Sequence, residues 1–425
     1  MTNIIEVLQE RGFIDAMTSE EDLKRLTNSP SRIYCGFDPT ADSLHLGNFV
    51  PIMGLAWFQK FGHTPVAIIG GATGMIGDPS GKAAQRQLLD ETTIKINLEG
   101  IRKNLEVILD FNHPTSKAII LNNYEWYKDF SYVHFLRDVG SLFRVGTMLG
   151  KESVRLRMQS EEGMSYTEFS YQILQGYDFL HLFKHHGVSI QLGGSDQWGN
   201  ITAGTDLIRR VEGKSAFGIT FPLLTKKDGQ KFGKSEKGAI WLSPEKLSPY
   251  EFYQYLVRVE DEDVIQLMRM LTFMDMHEIR NYEKMLKDNT CPPRTAQKRL
   301  AEEVTKIVHG NEGFQKALKV TQSISPGSET ELDVSTLESI ASDMPSCQLT
   351  KDQVINKNII DLIVELGLQP SKKKAREVMK DGSVYLNNKK IEDQTLLIQE
   401  NLLIDGRLIL LSIGKKNKLL LNVNG

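Results

Sequence analysis

Short apolar runs alternate with longer helix-like stretches between residues 32 and 212, and this alternation restricts the fold more than any other feature of the 425-residue sequence. Examples of such runs are 64–70 and 187–192. Repeated strand-helix-strand units build a parallel sheet covered by helices, so we predict an α/β domain. Ligands of such sheets bind beyond the carboxyl ends of the strands, where the glycine-rich segments 70–78 and 193–197 lie.

A chain of this length exceeds what a single hydrophobic core supports, so several domains are expected. Residues 244–322 have apolar side chains at helical spacing, whereas 323–346 are rich in Ser, Glu, Asp and Thr and resemble a linker with little core. We predict four segments: an α/β domain at 1–225, a lysine-rich loop with a helical domain at 226–322, a linker at 323–350 and a last domain at 351–425.

The last segment combines helical and strand patterns and differs from the rest in charge. Two helices are predicted at 359–368 and 371–380, and two strands at 382–388 and 407–413. From residue 351 onward there are 13 basic and 9 acidic residues, against 38 basic and 45 acidic before it. A mildly basic α+β tail on an acidic body is typical of a nucleic-acid module appended to an enzyme.

Composition also bears on the compartment. The three cysteines, Cys35, Cys291 and Cys347, are far apart and have no Cys-x-x-Cys spacing, which indicates neither disulfides nor a zinc site. The N-terminus lacks the basic flank and apolar stretch of a signal peptide, and no apolar run approaches the length of about 18 residues that a membrane span requires. We predict a cytoplasmic protein without a membrane role.

Two polar segments have the features of phosphate-binding loops. Residues 39–48 follow the apolar run 33–37 and lead into a helix, so backbone amides and the positive helix end would face an anion. There His45 adds a donor and Gly47 lets a nucleotide lie on the backbone. Residues 231–235, Lys-Phe-Gly-Lys-Ser, offer lysines as mobile charges. Either segment alone is also typical of an ordinary surface turn.

A third basic element, at 77–86, places Lys82 and Arg86 one helical turn apart. No Walker-type Gly-x-x-x-x-Gly-Lys-Ser/Thr pattern is present in the sequence.

A polar stripe is predicted on one helix. Tyr171, Gln175 and Asp178 are spaced by four and three residues, which puts them on one helical face. Asp178 can accept a hydrogen bond from a phenol, Gln175 and Tyr171 can meet an ammonium group, and Tyr34 supplies a second hydroxyl. The pattern indicates a small-molecule pocket.

Together, the two loops resemble the two signatures of class I aminoacyl-tRNA synthetases. The first signature usually ends in a second histidine, where this chain has Asn48, and the second usually reads Lys-Met-Ser-Lys-Ser. Both departures are similar to variants found in bacterial-type tyrosyl-tRNA synthetases. The resemblance implies a Rossmann-like catalytic domain with a parallel sheet, a helical domain on the anticodon side, and a small α+β S4-like RNA-binding domain.

The resemblance also implies a reaction and its residues. Tyrosine and ATP would form tyrosyl-adenylate, and the tyrosyl group would then pass to the 3′-terminal adenosine of tRNA(Tyr). Tyrosine would be bound by Tyr34, Asp78, Tyr171, Gln175, Asp178 and Gln197. ATP would be bound by Gly36, Asp38, His45, Gly47, Asn48, Gly194, Asp196, Lys231 and Lys234. Charge stabilisation would come from Thr40, His45, Lys82, Arg86, Lys231 and Lys234. The RNA-binding residues would be Lys372, Lys373, Lys374, Arg376 and Lys380.

By the same resemblance, ATP is a substrate, Mg²⁺ accompanies its phosphates without a dedicated protein metal site, and the chain forms a homodimer, for which the apolar residues 135–149 could supply an interface. A pocket that hydrogen-bonds a hydroxyl rejects phenylalanine because buried polar groups would be left unpaired, a discrimination for which tyrosyl-tRNA synthetases are themselves the standard example. Two alternatives remain open at this point: a tryptophanyl-tRNA synthetase, and an RNA-binding protein that kept the fold and lost the chemistry.

Overall fold

The structure is a computed structural model that describes residues 2–80, 89–161, 163–225, 232–235, 238–324, 327, 332, 334–341, 344–414 and 417–424. The chain divides into two compact units, the first formed by Met1–Leu247 with Leu256–Gly310 and the second by Ser248–Tyr255 with Asn311–Gly425. Our segment boundaries at 225, 322 and 350 stay predictions.

A mainly parallel sheet forms the centre of the first unit. Its strands are β1 (Ala16–Met17), β2 (Arg32–Phe37), β3 (Thr64–Ile69), β4 (Ile119–Asn122), β5 (Val188–Gly194) and β6 (Phe217–Phe221). Within the described residues their order is β1-β6-β5-β2-β3-β4, and β1 alone runs antiparallel to its neighbour. The prediction of an α/β fold around a parallel sheet is confirmed, although β1 and β6 were not predicted.

The central strands are continuous apolar runs because both faces of the sheet are covered. In β3, every residue after Thr64 is buried. The chain passes from β2 through β3 to β4 on one side, and β5 then pairs with β2 on the other side. This reversal opens a crevice beyond the carboxyl ends of β2 and β5, which is where ligands bind in open α/β sheets.

Helices cover this sheet and continue after it. Within the described residues up to 323 they are α1 (Ile4–Glu10), α2 (Glu20–Leu26), α3 (Leu46–Lys60), α4 (Thr73–Ile76), α5 (Glu91–Ile108), α6 (Tyr124–Tyr127), α7 (Tyr132–Asp138), α8 (Val145–Leu149), α9 (Glu152–Met158), α10 (Tyr166–His186), α11 (Trp198–Glu212), α12 (Pro249–Val257), α13 (Asp261–Leu271), α14 (Met276–Lys287) and α15 (Thr295–Ser323). The helix α15 is interrupted at Gly310, whose backbone is not helical.

The ends of α10 follow from local sequence. Ser165 and Glu168 form a capping box at its start, and Gly187 in the left-handed conformation ends it. Glu168 is also paired with the buried Arg157, with Nη2 at 2.9 Å from Oε1. These contacts fix the helix that carries the predicted polar stripe.

A second sheet organises the other unit. After the short hairpin strands β7 (Lys234–Ser235) and β8 (Gly238–Ala239) of the first unit, the strands are β9 (Ser346–Thr350), β10 (Val384–Leu386), β11 (Lys389–Lys390), β12 (Leu408–Ile413) and β13 (Asn417–Asn424). The order is β11-β10-β12-β13-β9. The helices are α16 (Val334–Ala341), α17 (Lys351–Val354), α18 (Ile359–Glu365) and α19 (Lys372–Lys380).

Both faces of β12, in the second sheet, are buried. Ile409 and Leu411 pack in one core with residues of α18 and α19, whereas Leu408 and Leu410 pack in another with Leu337 of α16. This explains why β12 has no polar alternation. The predicted helices at 359–368 and 371–380 correspond to α18 and α19, and β12 lies within the predicted strand at 407–413.

The segment 323–350 differs from our prediction of a linker with little core. It contains α16 and β9, and Leu332, Leu337 and Met344 are buried. Its polar composition concealed these elements because apolar residues are few here and β9 pairs with a strand about 70 residues later.

Among the described residues, no helix is both long enough and apolar enough to cross a membrane.

Candidate active site

Polar side chains gather where four neighbouring strands end. Asp38 follows β2, Thr73 follows β3, Asn123 follows β4, and Gln197 follows β5. Because carboxyl ends of parallel strands share one edge of the sheet, these residues face the crevice at which the chain reverses.

Asp178, from the buried face of α10, lies at the centre of a hydrogen-bonded group. Its Oδ1 accepts from Nε1 of Trp126 at 2.8 Å, and its Oδ2 accepts from Nδ2 of Asn123 at 3.1 Å. Burial raises the pKa of Asp178 to about 7, although the hydrogen bonds from Asn123 and Trp126 and the nearby hydroxyl of Tyr127 oppose the shift. The hydroxyl of Tyr127 lies near Asp178 but donates to the carbonyl of Leu174 at 2.7 Å, so we count two side-chain donors to this carboxylate.

Tyr34, on the central strand β2, is 2% exposed, and within the described residues its hydroxyl has no hydrogen-bond partner. Burial raises the pKa of Tyr34 well above its usual value, and the nearby charge of Asp178 adds to this effect. A buried hydroxyl without a partner is costly, so a ligand or water is expected beside it. Gln191, the register partner of Tyr34 on β5, likewise has an Oε1 without a partner in the described part of the chain.

Asp38 joins the strand ends to α10. Its Oδ2 accepts from the hydroxyl of Tyr171 at 2.8 Å, and its Oδ1 accepts from the hydroxyl of Thr73, also at 2.8 Å. Asn123 donates to Thr73 at 3.0 Å as well as to Asp178, so one chain of hydrogen bonds runs from Asp178 to Tyr171.

A second chain of hydrogen bonds holds Asp78 and Gln175. Gln197 donates through Nε2 to Oδ2 of Asp78 at 2.7 Å. Asn200 of α11 donates to Oε1 of Gln175 at 2.9 Å and to Oε1 of Gln197 at 3.2 Å. Five of the six residues predicted to bind tyrosine therefore belong to two short networks, and the sixth, Tyr34, is positioned by its strand.

The first signature begins α3. His45 is its N-cap: Nδ1 accepts from the amide of Gly47 at 3.1 Å, and the His45 amide donates to Oδ1 of Asn48 at 3.2 Å. Since Nδ1 accepts, the neutral ring carries its proton on Nε2, which makes that atom a donor. The substitution of asparagine for the usual second histidine thus completes a capping box.

The described part of the second signature lies directly against the first. A Cβ atom on Gly233 would stand 3.1 Å from the amide nitrogen of Gly47 and 3.2 Å from Cβ of Leu46. Backbone bonds fasten the two segments, because Leu46 donates to Ile240 and Ile240 donates to Gly233 at 2.8 and 2.9 Å. Motifs about 185 residues apart in the sequence are therefore neighbours.

Other residues predicted to bind ATP sit at the same edge. Gly36 is exposed on β2 and a Cβ there would meet no atom within 4 Å, so the surface above it is open. The carboxylate of Asp196 lies beside Gly194, with Oδ1 2.6 Å from where a Cβ on Gly194 would be. Thr40 is exposed, and its amide donates to the carbonyl of Asp38 at 2.9 Å.

The structure does not describe the side chains of four residues predicted to supply positive charge. Lys82, Arg86 and Lys231 lie outside the described residues, and for Lys234 only the backbone, in β7, is described.

Sequence reasoning missed Thr73, Asn123, Trp126 and Asn200. The signal for Asn123 was available, since it is a polar residue directly after an apolar strand. Trp126 and Asn200 gave no signal, because their partners lie 52 and 25 residues away in the sequence.

A polar stripe on α5 was also missed. Asn97 donates to the carbonyl of Pro39 at 2.8 Å, and Oδ1 of Asn104 accepts from the amide of Leu44 at 2.8 Å. Between them, a Cβ on Gly100 would stand 1.8 Å from the carbonyl oxygen of Asp42. This face of α5 therefore holds the loop that precedes His45.

The predicted RNA-binding residues are exposed along α19 or at its start, while Ala375 and Met379 anchor the opposite face. Lys372 pairs with Asp361, and Lys374 pairs with Glu377, each at 2.7 Å. Lys373, Arg376 and Lys380, at spacings of three and four, form one stripe for which the described part of the chain provides no acidic partner within 4.0 Å.

Within the described ranges, no group of three or more His, Cys, Asp or Glu side chains is arranged to hold a metal ion.

Comparisons with known proteins agree with the site. A family model described as class I tRNA synthetases (W and Y) matches residues 26–324, and a model of the tyrosine–tRNA ligase SYY-like C-terminal domain matches residues 336–421. The tyrosine–tRNA ligase of Protochlamydia amoebophila is 68% identical over 423 residues, covering 100% of this chain and 99% of the relative.

Two less similar proteins also match this chain over most of its length. The chloroplastic/mitochondrial tyrosine–tRNA ligase of Arabidopsis thaliana is 51% identical, covering 99% of this chain and 84% of the relative. The crystal structure of a C-terminally truncated mitochondrial tyrosyl-tRNA synthetase from Coccidioides posadasii is 33% identical, with a TM-score of 0.65, over 75% of this chain and 92% of that one.

Proposed function

Because the chain belongs to the tyrosine–tRNA ligases, a family of class I aminoacyl-tRNA synthetases, we propose that its crevice is divided into a tyrosine pocket and a phosphate-binding side. The chain activates L-tyrosine with ATP, releasing pyrophosphate, and transfers the tyrosine to tRNA(Tyr). We propose, in addition, the roles of individual residues, the magnesium ion, the oligomeric state, the compartment and the domain boundaries.

The buried pair of Tyr34 and Asp178 carries the proposal for the phenol end. The carboxylate of Asp178 accepts a hydrogen bond from the tyrosine hydroxyl, and the hydroxyl of Tyr34, which has no partner in the described part of the chain, donates to the same oxygen. Both groups are already desolvated, so phenylalanine would leave the Tyr34 hydroxyl without a partner and would offer no further donor to the Asp178 carboxylate. An indole has no hydroxyl at this position either, which disfavours tryptophan as the substrate.

The other tyrosine contacts hold the amino-acid end. Asp78 and the Tyr171 hydroxyl bind the ammonium group together with Gln175, and Gln197 lies beside Asp78 to meet the carboxylate. Support comes from the second network, in which Gln197, Asn200 and Gln175 are fixed before a ligand arrives. Preorganised donors and acceptors align the carboxylate with the α-phosphate of ATP.

On the phosphate side, the protein contributes positioning and charge rather than a nucleophile. The tyrosine carboxylate attacks the α-phosphate in line, and pyrophosphate leaves. His45 Nε2, the Thr40 hydroxyl and the cations Lys82, Arg86, Lys231 and Lys234 stabilise the negative charge that develops on the transferring and leaving phosphates. Gly36, Asp38, Gly47, Asn48, Gly194 and Asp196 hold the nucleoside and phosphates. The contact of Gly233 with Gly47 supports a shared phosphate site.

Mg²⁺ enters this proposal with ATP, coordinated by its phosphates. The charge it supplies adds to that of the lysines, and no protein group is assigned to hold it.

Pyrophosphate exchange tests the pocket assignment. We would measure tyrosine-dependent exchange between ATP and pyrophosphate without tRNA, with phenylalanine and tryptophan in parallel, for the natural chain and Tyr34→Phe. The natural chain should exchange with tyrosine alone, and Tyr34→Phe should reduce the preference for tyrosine over phenylalanine by about tenfold. An unchanged preference in Tyr34→Phe would contradict the role of this hydroxyl.

For tRNA, we propose that the α19 stripe of Lys373, Arg376 and Lys380 contacts phosphates, with Lys372 and Lys374 beside it. A triple alanine variant of the stripe should weaken tRNA binding and lower the dependence of binding on salt, since up to three phosphate contacts are lost. The control is Lys351→Ala, a lysine of the same unit whose side chain is 45% exposed and pairs with Glu400. Unchanged salt dependence in the triple variant would refute this surface, and pyrophosphate exchange should be normal in every case.

We also propose a homodimer. Exposed apolar side chains recur along α7 to α9, among them Val133 at 70% and Leu156 at 58% exposure, together with Tyr132, Val145 and Met158. Exposed apolar side chains that recur along consecutive helices are typical of a protein interface. Val133→Asp should shift the molar mass measured by light scattering toward one chain, whereas Ile96→Asp, at 61% exposure on α5, should not. A natural chain that is already monomeric would refute the dimer.

The compartment is proposed to be the cytoplasm because all three cysteines are free thiols, and Cys35 is buried. Cell fractionation followed by detection of the chain would test this proposal, and recovery outside the cytoplasmic fraction would contradict it.

A further inference from the structure

His181 lies against Trp126, one of the two side chains that bind Asp178. The two ring centroids are 4.4 Å apart and the ring planes differ by 17°, which is a stacked arrangement. No other ring contact of Trp126 in the described residues is as close, since the Tyr127 ring lies at 6.4 Å and is tilted. One face of the indole is therefore covered by an imidazole.

The same helix supplies both His181 and Asp178. They are three residues apart on α10, so they project from one face. Trp126 bridges them: its Nε1 donates to Oδ1 of Asp178 at 2.8 Å, and its ring rests on His181. The indole is thus held at its edge by a hydrogen bond and on its face by stacking, which fixes where the donor points.

The charge state of His181 suits stacking. Burial, together with the neighbouring His185 and His186, lowers the pKa of His181 to about 4, so its ring is neutral near pH 7. The ring of Tyr177 lies at 6.2 Å and is uncharged at this pH, and the Arg32 guanidinium, which donates to the His186 carbonyl, adds positive charge at that end of the helix. The neutral ring therefore stacks on the indole without adding a charge beside Asp178.

We propose that His181 is a positioning residue that sets how selectively the pocket binds the tyrosine hydroxyl, acting through Trp126 on Asp178. The inference rests on the proposed contact between Asp178 and that hydroxyl. Without a flat ring beneath it, the indole can tilt, and the carboxylate then loses one of its two orienting donors. Binding of tyrosine weakens, while the phosphate side is unaffected.

Three variants separate the effect of the ring from that of its bulk. His181→Leu removes the flat ring and keeps much of the volume, and His181→Phe keeps a flat ring. His185→Leu changes an exposed residue whose ring lies 4.6 Å from that of His181 but for which no contact with Trp126 is described. Pyrophosphate exchange would be measured with tyrosine and with phenylalanine, alongside thermal unfolding.

His181→Leu is expected to raise the KM for tyrosine about threefold to tenfold, and to lower the preference for tyrosine over phenylalanine by the same factor. Its kcat and its KM for ATP should stay within about twofold of the natural chain. His181→Phe and His185→Leu should match the natural chain. A general loss of folding would instead lower kcat and all binding constants together.

The inference is overturned if His181→Leu keeps the tyrosine KM and preference, if His181→Phe is as impaired as His181→Leu, or if KM for ATP rises in parallel. Asp178→Asn in the same assay distinguishes a failure of the inference about His181 from a failure of the proposed function. If Asp178→Asn loses the preference and His181→Leu keeps it, only the role of His181 is wrong; if Asp178→Asn also keeps it, the pocket assignment itself is wrong.

Discussion

In the half of the crevice proposed to bind tyrosine, the polar groups are mostly buried side chains that hydrogen-bond to one another, from Asp178 through Asn123 to Thr73. Tyr171 joins them through the partly buried Asp38, at the border with the proposed ATP side. In the described part of the half proposed to bind phosphates, the contacts involve mostly the backbone: the N-terminus of α3, the turn at Gly233, and the loop 39–44 held by α5.

The difference matches what each half has to recognise. The hydroxyl of tyrosine is distinguished from the hydrogen atom that phenylalanine has at the same position only by desolvated groups that would lose a partner. This discrimination requires buried side chains in fixed positions. A polyphosphate is large and charged, so amides, a helix end and mobile lysines suffice. Changes in the first half should therefore alter which amino acid is used, and changes in the second should alter how fast it is activated.

The largest effect is expected for Asp178→Asn. The uncharged amide is a weaker acceptor and points an NH₂ group at one of its present donors, so kcat/KM for tyrosine should fall about 100-fold while KM for ATP stays unchanged. Pyrophosphate exchange measures both. The control is Asp129→Asn, an exposed carboxylate just after α6, which should behave as the natural chain. A larger rise in KM for ATP than for tyrosine would contradict the proposed separation of the two halves.

Next comes Gly100→Ala on α5. Alanine favours the helix, but its Cβ would stand 1.8 Å from the Asp42 carbonyl oxygen, so the loop before His45 has to move. A displacement of about 1 Å in a positioning element can lower a rate by about 100-fold. We expect kcat for activation to drop about 30-fold, with tyrosine binding, measured by equilibrium dialysis, unchanged. Weaker tyrosine binding would show that the halves are coupled.

Gly233→Ala should act on the same half, to a smaller extent. Gly233 has φ of +85° and meets Gly47, whereas Gly62 also has φ of +85° but has no atom near its Cβ position. Both alanine variants should lose similar stability in thermal unfolding because the backbone strain is similar. Only Gly233→Ala should lower kcat for activation, by about tenfold. Equal kcat values in the two variants would remove the evidence for a shared phosphate site.

The smallest effect concerns pH. Burial raises the pKa of Asp178 to about 7, so this side chain is ionised above that pH and protonated below it. Since the ionised form is the stronger acceptor, kcat/KM for tyrosine should fall about fivefold as pH drops from 8 to 6. The decrease should be absent in Asp178→Asn and with phenylalanine as substrate. A decrease of the same size with phenylalanine would assign the titration to another group.

Much of the fold was predictable from local sequence. The continuous apolar runs correspond to β2 to β5. The spacing of Tyr171, Gln175 and Asp178 correctly predicted that they lie on one helix. In contrast, β9 and α16 were read as a linker, since their stability comes from a strand and a core supplied by distant residues. The lysines of the second signature were proposed for catalysis only by resemblance, and their side chains lie outside what the structure describes.

The sequence by itself determined the α/β class, the helix caps at His45 and Ser165, and the family, because these depend on residue order over a few positions. Only the tertiary structure showed that Asn123 and Trp126 orient Asp178 and that Gly100 touches the loop before His45. Those contacts join residues that lie about 50 or more positions apart, and their partners are chosen by how strands and helices pack, which local sequence does not encode.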